Sequence, residues 1–205
     1  MGSAEVASAV EALVQKRRSI RDYVQEPIGR DLILEVLSLA GRAPSAWNLQ
    51  PWRFVAVTDA AHRETLQAAA FGQNQVGRAP VTVVVYSDMV DTLARIDSVL
   101  RADLAPEAKA KTRQSIIGFF ETLTDSQRDQ WGRAQANIAL GYLLLILEAY
   151  GLGSSPMLGF DAVQVRSLFG LPDHAEVVAL VAFGRPAEEG RASQRHEVAS
   201  LVRWA

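Results

Sequence analysis

The sequence has 205 residues, of which 49% are hydrophobic and 21% are charged, and its formal net charge is −2. This composition is typical of a globular chain with a single core, and the small net charge excludes a general electrostatic attraction to nucleic acid or to anionic membranes. Cysteine is absent, which excludes disulfide scaffolds, thiolate metal sites and cysteine nucleophiles.

Two amphipathic helices are predicted at the start of the chain. Apolar residues recur at helical spacing from Val6 onward, which predicts a first helix that ends near Arg18. The same spacing over 32–40, with Asp31 in the first turn, predicts a second helix. Residues 41–51 contain two prolines and are predicted to form a loop.

Strands and helices mix through the middle of the chain. Residues 53–58 and 81–86 are predicted strands, and the second is so rich in β-branched residues that it should be covered on both faces. An alanine-rich helix is predicted between them over 60–70. Residues 91–123 have a helical composition that is interrupted around residues 105–106.

A long helix is predicted from Asp125 to Tyr150. Its centre, residues 138–147, is apolar on every side, which predicts burial all round and, in so small a protein, a subunit interface. This stretch is well short of the roughly 20 residues that cross a bilayer, so no membrane segment is predicted.

In the last part of the chain, residues 151–156 are predicted to end the long helix, 161–169 to form a short helix and 177–183 to form a third buried strand. Because helices and strands mix without a regular βαβ alternation, the predicted fold class is α+β. Residues 1–205 are predicted to form one domain.

Neither metal binding nor export is predicted. His62, His174 and His196 lie far apart, without the spacing of metal ligands. No basic-then-apolar leader is evident, so the expected location is the cytoplasm.

Three guanidinium groups and a hydroxyl lie close together at the end of the first helix, on Arg17, Arg18, Arg21 and Ser19. Arginine offers forked, permanently charged donors that suit phosphate and carbonyl groups. The same arginines could instead offset the helix dipole and cap the last carbonyls of the helix.

The loop sequence APSAWNLQPW, residues 43–52, is the second candidate site. The amides of Asn48 and Gln50 can donate to and accept from an aromatic heterocycle, and Trp47 offers a face for stacking. The alternative is a structural loop whose polar side chains satisfy backbone groups.

Two weaker candidates follow. The sequence SSPMLGFD, residues 154–161, contains Gly159, where the backbone can approach a ligand closely and amides that enter a helix can point at it. Alone, this sequence indicates no more than a turn. Gly184, Arg185 and the more distant Arg195 add positive charge after the last strand.

The candidate segments follow one another in the order RRSIR, APSAWNLQPW, PMLGFD and a terminal GRP with an isolated arginine. In this order they resemble the nitroreductase family of FMN enzymes, and the resemblance covers the chain from about Val14 to Arg195. The resemblance implies a three-layer sandwich, with a mainly antiparallel or mixed sheet between helices, and an intertwined homodimer with FMN at the subunit interface. It further implies that NADH or NADPH reduces the flavin, and that a small acceptor such as a quinone or nitroaromatic is then reduced in a ping-pong cycle.

The resemblance also implies roles for single residues. Arg17, Arg18 and Ser19 would meet the phosphate and ribityl end of FMN or the nearby ring edge. Arg21 would lie near flavin N1 and the C2 carbonyl, and Arg195 would complete the phosphate site.

Further contacts are expected at the flavin ring. Ser45 and Asn48 would reach the cofactor from the partner subunit, Leu158 and Gly159 would present backbone amides near N5, and Gln75 would make a polar contact. The expected cofactor-binding residues are Arg17, Arg18, Ser19, Arg21, Pro44, Ser45, Ala46, Asn48, Gln75, Pro156, Met157, Leu158, Gly159, Gly184 and Arg195.

Two departures from the family leave the reaction open. Leu158 stands where some relatives carry an acidic residue, which bears on acceptor preference. Residues 91–130 carry no family motif and are expected to form a variable helical cover over the substrate pocket. They contain no identifiable charged clamp for the zwitterion of an amino acid, the substrate that dehalogenases of this superfamily bind. The alternatives are reductive dehalogenation, flavin degradation, or a flavin-binding protein without turnover.

Overall fold

A four-stranded sheet lies at the centre of the computed structural model, which describes residues 2–205. The strands are β1 (Trp52–Val57), β2 (Val81–Ser87), β3 (Gly153–Met157) and β4 (Glu176–Gly184). Their order is β1-β2-β4-β3, and each neighbouring pair is antiparallel. The central strands β2 and β4 are buried almost throughout, as their apolar sequences predict.

Helices cover both faces of the sheet. The helices are α1 (Ser3–Lys16), α2 (Arg30–Ala40), α3 (Ala60–Ala69), α4 (Asn74–Arg78), α5 (Met89–Ala94), α6 (Pro106–Glu121), α7 (Asp125–Ala149) and α8 (Ala162–Phe169). One core joins α2 and α7 to one face of the sheet, and a second core joins α3, α4 and α8 to the other face. The predicted α+β sandwich of three layers is therefore confirmed.

No strand was predicted after the long helix, but Gly153 to Met157 form strand β3. Serine and proline are typical of turns, and Pro156 removes one backbone donor. A proline is tolerated here because β3 lies at the edge of the four-stranded order.

The centre of α7 is not buried all round within one chain. Leu143 and Leu147 are fully buried against the sheet, but Ile138, Tyr142 and Leu145 are 36–43% exposed. These three residues lie on one face of the helix because they recur every three or four positions. The expected burial on every side is thus not met by the single chain, and the dimer that would complete it stays a prediction.

Residues 89–121 form a smaller helical layer with its own core. Helix α6 begins at Pro106, where the missing amide hydrogen costs no helical hydrogen bond, so the predicted interruption is confirmed. Ile116 and Phe120 of α6 are buried against Ile96 and Leu49. This layer therefore rests on the loop that precedes β1.

Candidate functional site

Two candidate segments lie together at one edge of the sheet. They are the arginine segment, residues 17–21, and the PMLG segment, residues 156–159. After α1 the chain becomes extended, Ser19 forms a parallel bridge with Ser154 of β3, and the Ile20 amide donates to the Ser154 carbonyl at 3.0 Å. Strand β3 then leads to Leu158, about 13 Å farther along at the usual rise per residue. The arginine segment and the PMLG segment thus form one continuous edge.

Arg17 has the electrostatics of an anion-binding residue. Its Nη1 atom is buried and has no hydrogen-bond partner within residues 2–205. Burial lowers the pKa of the Arg17 guanidinium below its usual range, the nearby charge of Arg195 lowers it further, and the carboxylate of Glu148 opposes both. Two guanidinium groups that repel each other, with a buried donor unused, favour an anion between them.

Arg18 has the structural role that the sequence left open for these arginines. Its guanidinium donates to the carbonyl of Gln15, and at 3.0 Å to that of Arg17, so it caps the end of α1. Arg21 is exposed, and its backbone amide donates to the Glu188 carboxylate at 2.7 Å. Both arginines lie beside the site, but among the three arginines of this segment only Arg17 has a buried donor unused by residues 2–205.

The C-terminal segment crosses this edge. Gly190 has a φ of +74°, and a Cβ there would lie 2.8 Å from the Arg18 Cβ and 2.9 Å from the Ile20 Cδ1. Glycine therefore permits both the backbone conformation and the close approach. The segment then brings exposed Arg195 near Arg17.

The PMLG segment (residues 156–159) is held by α4 and by Gln73, the residue that precedes it. Gln73 Nε2 donates to the Gly159 carbonyl at 2.7 Å, and buried Gln75 donates to Met157 Sδ at 3.2 Å. The expectation that amides entering a helix face this site was wrong, because Asp161 accepts hydrogen bonds from the first amides of α8. Leu158 and Gly159 precede that helix and are exposed.

Gly184 has a packing role. It ends β4, and a Cβ there would lie 2.6 Å from the ring of Pro80 and 3.3 Å from Tyr23 Cδ1. Its expected cofactor contact stays a prediction, since packing alone explains a glycine at this position.

The loop before β1 is strained. Trp47, Asn48 and Gln50 have positive φ values of 51°, 58° and 47°, a conformation that costs a non-glycine residue roughly 1 kcal/mol. Ser45 Oγ accepts from the Gln50 amide at 3.0 Å, and the Ala46 amide donates to Gln135 Oε1 at 2.9 Å. Polar groups thus do satisfy the loop backbone, and the strain is of the kind that accumulates at ligand sites.

An aromatic cluster fixes this loop to the helical layer. The Trp47 ring lies 5.2 Å from Phe119, 6.0 Å from Phe120 and 6.4 Å from Trp131, measured between ring centroids. The sequence did not predict this contact, because Phe119, Phe120 and Trp131 are distant from the loop in the chain and belong to no family motif. Trp47 and Phe119 nevertheless stay 45% and 39% exposed.

The loop and the arginine cluster are far apart in one chain. Both contact α7: Ala46 reaches Gln135, whereas Lys16 Nζ lies 3.1 Å from Glu148 Oε1. Thirteen residues of helix separate the two contacts, which amounts to about 20 Å. Pro44, Ser45, Ala46 and Asn48 are therefore not brought to Arg17 within the chain.

Two absences hold for the part of the chain that the structure describes. Within residues 2–205, no group of three or more histidine, aspartate or glutamate side chains is placed to bind a metal ion. Nor does any helix in that range combine the length and apolar character needed to cross a bilayer.

Comparison with known proteins decides the family. Residues 14–185 match the sequence profile of the Nitroreductase family. The chain belongs to the nitroreductase family. Among its relatives in that family, a Thermus thermophilus protein named NADH dehydrogenase is 50% identical over 189 residues, which cover 92% of each chain.

Solved structures agree with this nitroreductase assignment. YdfN of Bacillus subtilis is 27% identical, with a TM-score of 0.90 over 97% of this chain and 100% of that one. A protein of Exiguobacterium sibiricum, solved in complex with FMN, is 26% identical, with a TM-score of 0.88 over 96% of this chain and 97% of that one. The predicted family and the predicted enzyme class, an oxidoreductase, are thereby confirmed.

Proposed function

We propose that this protein is an FMN-dependent oxidoreductase that passes electrons from NADH or NADPH to small acceptors, such as quinones or nitroaromatics, in a ping-pong cycle. The observation that carries the proposal is the buried Nη1 of Arg17, which has no hydrogen-bond acceptor in the described part of the chain and lies near the guanidinium of Arg195. The names of the relatives support it, since one is an NADH dehydrogenase and another was solved with FMN.

The phosphate of FMN suits the arginine cluster. Arg17 and Arg195 carry two positive charges against a phosphate with nearly two negative ones, and Nη1 would gain the acceptor that it lacks. Ser19 lies next to them on the extended segment, where its hydroxyl can donate to a phosphate or ribityl oxygen.

The ring end would lie farther along the same edge. When bound, FMN supplies the hydride acceptor and the store for two electrons. Arg21 would hold a positive charge near N1 and the C2 carbonyl, where negative charge increases on reduction. The exposed backbone of Leu158 and Gly159 would face N5, with Gln75 fixed behind it through Met157.

A homodimer would complete the site. The midpoint between Gln135 and Glu148 on α7 falls at Gly141, on the exposed apolar face. An added Cβ there would meet no atom of the described residues within 4 Å. If two α7 helices cross antiparallel there, the Gln135 end of one lies beside the Glu148 end of the other. The loop with Ser45 and Asn48 would then reach the partner's arginine cluster.

The helical layer favours flat, aromatic acceptors. Trp47 and Phe119 expose ring surface beside the loop that would come from the partner subunit. Such surface suits planar aromatic molecules, because offset and edge-to-face ring contacts add to the burial of apolar area. Residues 91–130 would thus cover the acceptor pocket.

Two measurements test the proposed function. An absorbance spectrum of the purified protein should contain oxidised flavin bands, and steady-state assays with NADH or NADPH and a benzoquinone should give parallel double-reciprocal plots. Protein that neither retains nor binds added FMN would contradict the proposal. Bound FMN that neither nicotinamide reduces would instead support a flavin-binding protein without turnover.

A further inference from the structure

Glu148 lies where a negative charge is energetically unfavourable. It lies in the last turn of α7, where the negative end of the helix dipole disfavours a carboxylate. Its side chain is only 10% exposed, so solvation by water is largely lost. A carboxylate persists in such a place only if nearby cations compensate it.

Those cations belong to the proposed phosphate site. Lys16 Nζ lies 3.1 Å from Glu148 Oε1, and the Glu148 charge acts on Arg17 against the repulsion from Arg195 and Arg18. Lys16 and Arg17 thus face one largely buried carboxylate where α1 ends, and Arg195 adds positive charge near Arg17.

A cavity of about 400 Å³ opens beside Lys16 and Glu148. Lys16, Arg18 and Glu148 line it together with Glu188 and Glu189 of the C-terminal segment. The last two glutamates are exposed, so water screens their charges. Glu188 also already accepts a hydrogen bond from the Arg21 amide. Glu148 is the buried carboxylate of this group and should act most strongly on its cations.

We propose that Glu148 is a built-in counter-ion of the FMN phosphate site, an inference that rests on the proposed function. It stabilises the cluster of Lys16, Arg17 and Arg195 while no phosphate is bound. It weakens phosphate binding because the Glu148 carboxylate and the FMN phosphate compete for the same positive charges. The carboxylate thus makes the empty protein more stable at the expense of cofactor affinity.

The Glu148→Gln variant tests this proposal, because it keeps the size of the side chain and an oxygen for Lys16 while it removes the charge. The FMN-free variant should unfold a few degrees below wild type. In low salt it should bind FMN about fivefold more tightly, the scale of one partly screened charge pair. At 1 M salt, where the Debye length is about 3 Å, the gain should be smaller, although salt screens a buried charge less than an exposed one.

Riboflavin and a matched variant provide the controls. Riboflavin lacks the phosphate, so its affinity should be the same for wild type and Glu148→Gln. Glu64→Gln changes the net charge equally at an exposed site on α3 and should leave FMN affinity unchanged.

The outcomes separate the inference from the proposed function. Failure of the wild type to bind FMN would overturn the proposed function. Wild-type binding with equal or weaker FMN affinity in Glu148→Gln, or a gain that riboflavin shares, would overturn the counter-ion role alone. A variant that folds only when FMN is present would support it, and one that does not fold even with FMN would overturn it.

Discussion

Arg17 and Arg18 are neighbours in sequence but face different surroundings. The Arg18 guanidinium donates to carbonyls at the end of α1, whereas Arg17 keeps a buried donor that finds no acceptor among residues 2–205. A buried donor of this kind is costly unless a ligand satisfies it. The residues therefore differ in what they contribute: Arg18 stabilises the helix end, and Arg17 favours a bound anion.

Replacing Arg17 or Arg195 with alanine should weaken FMN binding by about 10- to 100-fold. Each would lose a charge-assisted hydrogen bond worth roughly 1.5–3 kcal/mol, and 1.4 kcal/mol is a factor of ten. Titration of FMN-free protein, followed by flavin fluorescence, measures the change. Arg18→Ala is the matched control and should mainly lower stability. Unchanged FMN affinity in both Arg17→Ala and Arg195→Ala would mean that the phosphate of FMN does not bind at this edge.

Arg21→Gln should separate binding from electronics. Glutamine keeps a hydrogen-bond donor but deletes the charge that would favour the reduced flavin. The flavin midpoint potential should fall by several tens of mV, since about 30 mV corresponds to roughly 1.4 kcal/mol for two electrons. FMN affinity should fall much less than in Arg17→Ala. Dye-equilibration titrations that gave equal midpoints, with FMN bound, would mean that Arg21 has no electronic role.

Phe71 stores strain at the end of α3. Its φ is +56°, a conformation that favours glycine, and its ring is 71% exposed, so little burial offsets the cost. Phe71→Gly should therefore raise the free energy of unfolding of the FMN-free protein by about 0.5–1 kcal/mol in urea. Phe71→Ala, which keeps a Cβ on the strained backbone, should change it little. A loss of stability in both variants would mean that the ring is covered in the assembled protein.

At the scale of elements, apolar periodicity predicted what the core contains. The two central strands and α7 were predicted with nearly their observed bounds, because each contains a long apolar run that marks it in the sequence. Strand β3 was missed because an edge strand tolerates serine and proline. The site was predicted in pieces: similarity supplied the residues, but no local pattern encodes the edge that joins Ser19 to Ser154 or the strain at Trp47.

Gly141→Leu tests whether the exposed face of α7 is an interface. In an isolated chain the change should be harmless or stabilising, since the site is open and leucine favours helix by almost 1 kcal/mol over glycine. At a close helix crossing it should instead prevent assembly. Light scattering after size exclusion should report twice the chain mass of 22.3 kDa for wild type and the single mass for Gly141→Leu. A stable, FMN-loaded wild-type monomer would contradict the dimer.

At the scale of the whole molecule, the fold keeps its two groups of candidate residues at opposite ends of one helix. The arginine edge is near Glu148, and the strained loop is near Gln135. Neither group resembles a complete cofactor pocket alone. A two-fold axis near Gly141 would create two equivalent pockets, each with one group from each chain.

That separation makes genetic complementation possible. A chain with Arg17→Ala keeps an intact loop, and a chain with Asn48→Ala keeps intact arginines. In a mixed dimer, one pocket takes the altered arginines and the altered loop, so it carries both defects. The other pocket takes the intact arginines and the intact loop, so it carries none. Co-expression of two differently tagged, individually impaired chains should therefore yield hybrids that bind one FMN per dimer with wild-type affinity. If both groups served a pocket inside their own chain, every pocket in the hybrid would carry a defect.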